Sequence, residues 1–216
     1  DASQLRLGLD ASRHLVVTMG DNADDRMVFQ RFDATNVAAI KAFDHIEFDD
    51  GSTLSYDQLM AKGLDIFGGD AAEIIEGTNV DDRISGLGGD DRIDGLAGND
   101  VLAGEGGDDI LSGGVGDDSY RFAAGSGKDT VIDAAGFNAV EFGAGLTLAM
   151  MAASQGIGID GRRYLDLDFG NGDRLSIQNG ELNRVQSFRF GDGTMLATSD
   201  LLAAMPAVTL VGESSS

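Results

Sequence analysis

Asp82, Asp91, Asp100, Asp109 and Asp118 stand nine residues apart, with Glu73 extending the series upstream and Asp129 downstream. A carboxylate is a hard, charged oxygen donor, and a regular file of them is suited above all to gathering cations. Glycines keep step with it. Written in nines from Gly68, the chain reads GGDAAEIIE, GTNVDDRIS, GLGGDDRID, GLAGNDVLA, GEGGDDILS, GGVGDDSYR. The first position is always glycine (Gly68, Gly77, Gly86, Gly95, Gly104, Gly113), and the sixth is always acidic. The eighth is always large and apolar (Ile75, Ile84, Ile93, Leu102, Leu111, Tyr120). A looser turn follows two residues out of phase, with Gly125, Gly127, Asp129 and Val131 in the corresponding slots.

Such a period specifies the element that carries it. Six residues of glycine–aspartate character make a tight turn, for which glycine supplies positive φ and close backbone approach. The next three make a short strand whose side chains alternate, so position 8 points inward and positions 7 and 9 outward. Two nonapeptides complete a coil, and turns on one side stack about 4.8 Å apart. Asp91 then lies over Asp109, and Asp82, Asp100 and Asp118 form the opposite column. Two unit charges at that separation repel by about 0.9 kcal/mol in water and about 3.5 kcal/mol at an effective dielectric of 20. A cation between them reverses the sign. The available donors are carboxylates and glycine carbonyls, which suit Ca²⁺ with its irregular oxygen shell. Mg²⁺ demands a tighter octahedron, and Zn²⁺ prefers the His and Cys that these repeats lack.

Composition agrees. With 15 Lys and Arg against 37 Asp and Glu, the net charge is −22, which repels nucleic acid and anionic membranes. There is no cysteine, so neither disulfides nor thiolate sites are available. No apolar run approaches the roughly 18 residues of a membrane span. The opening Asp1-Ala2-Ser3-Gln4 has no Met and no basic stretch before an apolar one, and reads as part of a longer chain lacking a signal peptide.

The flanks resemble each other. Leu15–Gly20 parallels Leu165–Gly170, Asp25–Phe29 parallels Asp173–Ile177, and Ile46–Gly51 parallels Phe188–Gly193. Alternating runs joined by Asp/Gly/Asn turns predict a β-meander in each. A short helix is predicted near Ser55–Ala61 and another near Thr198–Ala204, with Ser55 and Thr198 or Ser199 as N-caps.

The nonapeptides, above all Gly86–Ile93 and Gly104–Leu111, resemble the RTX calcium-binding repeat, and Phe48–Gly51 and Phe190–Gly193 resemble modules that accompany such arrays. The resemblance implies an all-β fold: a right-handed parallel β-roll at 68–133, capped by β-rich modules at 1–67 and 134–205, with a flexible tail at 206–216. It implies side-chain ligands at Asp82, Asp91, Asp100, Asp109 and Asp118, with Glu73 and Asp129 at the margins. The carbonyls of Gly77, Asn79, Gly86, Gly88, Gly95, Ala97, Gly104, Gly106, Gly113 and Val115 would complete the shells of about three to five Ca²⁺ ions. Ala71 in a glycine slot and Glu73 in place of Asp predict a strained, weakly occupied first turn; the second carries Thr78 and Val80 in glycine slots, and the insertion before Asp129 bears on its pairing with Asp109. RTX proteins leave the cell unfolded through type I secretion machinery and fold outside, where calcium is plentiful. The implied role is therefore a secreted or cell-surface scaffold with no catalytic activity of its own. The alternatives are a calcium-dependent adhesin or surface-layer piece, or the tail of a toxin, lipase or protease whose activity lies upstream.

Other features read as structural. Gly125-Ser126-Gly127-Lys128 mimics a phosphate loop but has Phe122 and Asp129 where glycine and Ser/Thr are required, so it reads as a degenerate turn. His14 and His45 are isolated, and no G-x-S-x-G segment exists. Asp81, Asp90, Asp108 and Asp117 read as solvated turn residues, Arg162-Arg163 as a turn, and Phe29, Phe32, Phe43, Phe48, Phe169, Phe188, Phe190, Met150 and Met151 as core.

Overall fold

The computed structural model describes residues 4–20, 25–30, 32–38, 41–133, 135–178 and 185–204, so the expected tail at 206–216 lies outside the described residues. Strands β1 (Leu5–Leu9), β2 (Leu15–Met19) and β3 (Arg26–Phe29) form an antiparallel meander, with Leu7 opposite Val17 and Val17 opposite Met27. Alternation drives it: Leu5, Leu7, Leu15 and Val17 are buried, and Arg6 faces outward. A hairpin of β4 (His45–Glu47) and β5 (Thr53–Ser55) leads into helix α1 (Tyr56–Met60). Ser55 accepts from the Gln58 N–H while the Gln58 side chain accepts from the Ser55 N–H, a reciprocal cap that fixes where the helix begins.

Two seven-stranded sheets hold the rest of the chain. The first runs β6 (Leu64–Phe67), β8 (Asp82–Ser85), β10 (Val101–Ala103), β12 (Ser119–Phe122), β14 (Asn138–Phe142), β18 (Val185–Arg189) and β19 (Met195–Ala197). The second runs β7 (Ile74–Thr78), β9 (Arg92–Leu96), β11 (Ile110–Ser112), β13 (Lys128–Val131), β17 (Arg174–Gln178), β16 (Arg163–Asp168) and β15 (Ala152–Ile157). From β6 to β14 successive strands fall alternately in the two sheets, and every pairing within each sheet over that span is parallel. This is a parallel β-roll in a nearly all-β chain, as the nine-residue period predicts.

Register stacks the eighth positions. Ile84, Leu102, Tyr120 and Val140 lie opposite one another in turn, as do Ile75, Ile93, Leu111 and Val131. All of these side chains are buried, and each adds about 1.5–3 kcal/mol of apolar burial to a core one side chain wide. Tyr120 satisfies its hydroxyl by donating to Asp133 and accepting from the Gly113 N–H.

The sheets continue beyond residue 133. β14 pairs parallel with β12 and β18, and β17 pairs parallel with β13 before β16 and β15 add antiparallel. Here the core widens into an aromatic cluster around Phe142, whose ring centroid lies 4.9 Å from Phe190, 5.0 Å from Phe169 and 6.0 Å from Phe122. The other flank has its own cluster, with Phe43 4.8 Å from Phe29 and 5.3 Å from Tyr56. Met150 departs from the core expectation, being 45% exposed. Helix α2 (Thr198–Ala204) is the last described element, with the Thr198 hydroxyl donating to the Val185 carbonyl. Among the described residues no helix is long and apolar enough to cross a membrane.

The flank resemblance extends to the turns. In the N-terminal copy Phe48 N–H reaches Ser52 O, Gly51 N–H reaches Phe48 O, and Asp50 accepts from Ser52 N–H. Phe190, Thr194, Gly193 and Asp192 make the same set of bonds in the C-terminal copy. Each hairpin then runs into its helix.

Candidate metal centre

The sixth positions form two ladders along the sides of the roll. In one, the N–H of Glu73 donates to Asp91 Oδ1, that of Asp91 to Asp109 Oδ1 (both 2.8 Å), and that of Asp109 to Asp129 Oδ1 (3.1 Å). In the other, the N–H of Asp82 donates to Asp100, that of Asp100 to Asp118 (both 2.8 Å), and that of Asp118 to the Asn138 side-chain oxygen (2.7 Å). The insertion before Asp129 leaves its pairing with Asp109 intact. Each aspartate thus grips the coil before it.

The fifth positions grip in the opposite direction. Asp81 accepts from Asn99 N–H, Asn99 from Asp117 N–H, and Asp117 from Phe137 N–H. On the other side Asp90 accepts from Asp108 N–H, and Asp108 from Lys128 N–H. These groups are exposed and fix the turns, as solvated turn residues would.

One ladder oxygen is left over in most rungs. Oδ2 of Asp91, Asp100, Asp109, Asp118 and Asp129 is buried without a hydrogen-bond partner. An orphaned buried oxygen of this kind costs about 1–3 kcal/mol, and more when charged. The sequence folds this way because position 1 has no side chain. A Cβ on Gly86 would collide with Asp91 Oδ2, and also lie 2.7 Å from the Gly104 carbonyl oxygen. At Gly95 the two oxygens belong to Asp100 and to Gly113, the latter at 2.8 Å. A bare carboxylate oxygen and a carbonyl from the next coil therefore converge on the space above each such glycine.

The electrostatics are those of crowded, desolvated acids. Burial pushes Asp100 and Asp129 up to about 8, and Asp82 and Asp118 up to about 6. Asp91 and Asp109 are raised as well, again chiefly by burial. Backbone N–H donors pull the other way, and carboxylates above and below add to the rise: Asp82 and Asp118 act on Asp100, and Asp91 acts on Asp109. Among the described residues no three acidic or histidine side chains converge on one point. Each turn brings one carboxylate, so backbone carbonyls must supply the remaining donors. The residues fit a hard cation on both counts: orphaned oxygens aimed at one space, and an all-oxygen donor set.

The remaining expected site residues divide. The Gly88 and Gly106 backbones bridge in parallel, as do Ala97 and Val115, placing the third positions in register. The Val115 carbonyl accepts from Gly98 N–H at 3.0 Å, and the Gly77 carbonyl accepts from the Arg13 guanidinium at 2.7 Å. Asn79 uses its side chain to accept from Val37 N–H, fastening the N-terminal flank to the turn. Glu73 folds back onto Gly69 N–H at 2.7 Å. Asp82 is satisfied within the chain, because its Oδ2 takes the N–H (2.6 Å) and hydroxyl (3.0 Å) of fully buried Thr78. The strain expected at Ala71 does not arise, and Val80 likewise avoids positive φ. Among the described residues only Arg13, Leu87, Leu96 and Glu105 are non-glycine residues at positive φ, so those two turns take a different backbone path.

Sequence reasoning missed Thr78, Arg13 and Asn138. Asn138 follows Asp118 by 20 residues, the interval that separates Asp109 from Asp129, and that shared insertion was the available signal. The phosphate-loop lookalike is filled by the protein itself: Gly125 N–H and Gly127 N–H donate to the buried Asp173 carboxylate at 2.9 and 3.1 Å.

The family model described as the RTX calcium-binding nonapeptide repeat, in four copies, matches residues 67–102 and 85–120. No curated protein sequence matches the chain. Among solved structures, the AlgE6R3 subunit of the Azotobacter vinelandii mannuronan C5-epimerase is 27% identical with a TM-score of 0.41, covering 69% of this chain and 91% of that one. The extracellular lipase LipA from Serratia marcescens is 15% identical with a TM-score of 0.43, covering 90% of this chain and 31% of the lipase.

Proposed function

Residues 67–120 being RTX calcium-binding nonapeptide repeats, we propose that the chain is a scaffold module of a larger secreted protein, exported unfolded by type I machinery and wound into its roll by calcium outside the cell. The observation that carries this reading is the set of buried, unpartnered Oδ2 atoms on Asp91, Asp100, Asp109, Asp118 and Asp129. These carboxylates are the proposed side-chain ligands. The carbonyls of Gly86, Gly88, Gly95, Ala97, Gly104, Gly106 and Gly113 are the proposed backbone donors. Calcium supplies two positive charges and accepts about six to eight oxygens in an irregular shell. Glu73 and Asp82 close the first turns through bonds within the chain instead.

The residues alone explain why folding would wait for the ion. Without it, the carboxylates of one ladder must either repel one another across adjacent coils or take up protons. With no cysteine in the chain, metal ligation takes the part that disulfides play in many small secreted domains. Affinity is expected in the range of extracellular modules, about 10⁻⁴–10⁻³ M per site. Calorimetric titration combined with circular dichroism tests the proposal. The expected result is a β signal that grows with calcium and saturates at an ion count set by the open carboxylates. A β signal already complete in excess chelator would refute it.

A further inference from the structure

The first carbonyl of one ladder faces a protein cation. Gly95 and Gly113 each present a carbonyl to the glycine of the coil before, beside a carboxylate oxygen. Gly77 begins its column, so no earlier nonapeptide lies beyond it. In that place the Arg13 guanidinium donates 2.7 Å bonds to the carbonyls of both Glu76 and Gly77, more than 60 residues away in sequence.

The loop between β1 and β2 is built to hold this arginine. Asp10 Oδ1 accepts from the N–H groups of Ser12 and His14 at 2.9 Å, and its Oδ2 pairs with His14 Nδ1 at 3.0 Å. The Arg13 N–H donates to Asp10 O at 2.7 Å. Arg13 itself sits at φ 60°, a left-handed conformation rare for a side chain of this kind and held only where its surroundings fix it.

The sixth-position acids of the first coil are also bonded within the chain. Thr78 satisfies Asp82, Gly69 N–H bonds one oxygen of Glu73, and β8 pairs on one side with β6 of the flank and on the other with β10. Among the described residues, the first buried carboxylate oxygen without a hydrogen-bond partner is that of Asp91. We infer that Arg13 is a tethered cation closing the N-terminal end of the array, and that residues 64–85 form a calcium-independent seed on which the calcium-dependent coils wind.

This inference rests on the calcium reading proposed above, and one experiment separates the two. Amide hydrogen exchange, read by mass spectrometry on the full chain, is compared in excess chelator and in calcium. In chelator, residues 64–85 are expected to exchange about tenfold or more slowly than residues 100–131, and in calcium both are protected. R13Q loses the protection of 64–85 in chelator, R13K keeps part of it, and both regain a protected 100–131 in calcium. T78V, acting on Asp82 without touching Arg13, also weakens 64–85 in chelator. Exchange of 64–85 as fast as 100–131 in wild-type chelator overturns the seed, and unchanged protection in R13Q overturns the role of Arg13. Protection of 100–131 in chelator instead overturns the calcium reading, a distinct outcome.

Discussion

The two ends of the roll stop the same stack of negative charge by different means. At the N-terminal end the chain brings donors to the last acidic groups: Arg13 to carbonyls, Thr78 to Asp82, and Gly69 N–H to Glu73. At the C-terminal end it changes the residues. Asn138 takes the place of an aspartate, and Leu175, opposite Asp129, follows as an apolar residue while the sheets run on. Among the described residues, buried carboxylate oxygens without a hydrogen-bond partner occur only in the rungs between these closures. The lesson is that the array must be terminated electrostatically as well as sterically. A side chain that neutralises its rung and one that never carried charge are equivalent solutions.

The largest effect should come from the larger of the two aromatic clusters, the plug at the C-terminal end. Phe142→Ala removes the ring that contacts Phe122, Phe169, Phe188 and Phe190. It is expected to cost about 3–5 kcal/mol in denaturant unfolding with calcium present. A loss below about 1 kcal/mol would mean that the plug does not hold this end.

Asn138→Asp tests termination by residue type. A further carboxylate next to Asp118 adds repulsion of about 3 kcal/mol at an effective dielectric of 20. The variant should therefore be destabilised in chelator and recover in calcium. Equal stability in both conditions would show that the neutral amide is incidental. At the opposite end, Thr78→Val removes one donor to Asp82 and should cost about 1–3 kcal/mol, with calcium unable to restore it.

A gentler effect should come from acidity, which acts on Asp82 at the closed end as well as on the open rungs. Folded-state values near 6 for Asp82 and Asp118 and near 8 for Asp100 and Asp129 lie above the unfolded carboxylate value of about 3.9. The folded, metal-free chain therefore binds more protons than the unfolded chain. This stabilisation is fully present below about pH 4, and is lost as pH rises through about 6 and then about 8. In chelator the β signal should be larger at pH 5 than at pH 9, and the calcium midpoint should fall as pH rises. A pH-independent midpoint would contradict raised folded-state values.

Much of this was legible in the sequence, because the period is local. Nine-residue spacing predicts the stacked Ile93 and Leu111, the two aspartate columns and the outward positions, since strand alternation and turn length fix all three within a few residues. The closures were not legible for the opposite reason. Arg13 meets Gly77 only through the packing of β1 against β6, which no spacing encodes. Thr78 reads as a fault in a glycine slot until its hydroxyl is seen on Asp82. Asn138 stayed hidden because an amide carries no charge, although it accepts the same backbone bond as the aspartates below it. The continuation of both sheets into β14, β17 and β18 was also missed, because in those strands the nine-residue register no longer shows.

Asn138 points to the most direct measurement, since it shows that an amide fits the ladder. Replacing Asp91, Asp100, Asp109, Asp118 and Asp129 together with asparagine keeps each Oδ1 acceptor and removes each open charged oxygen. Circular dichroism of this variant during calcium titration should be flat, with one β signal in chelator and in calcium alike. A calcium-induced gain with the wild-type midpoint would contradict the account, since the ion would then be answering to something other than those carboxylates.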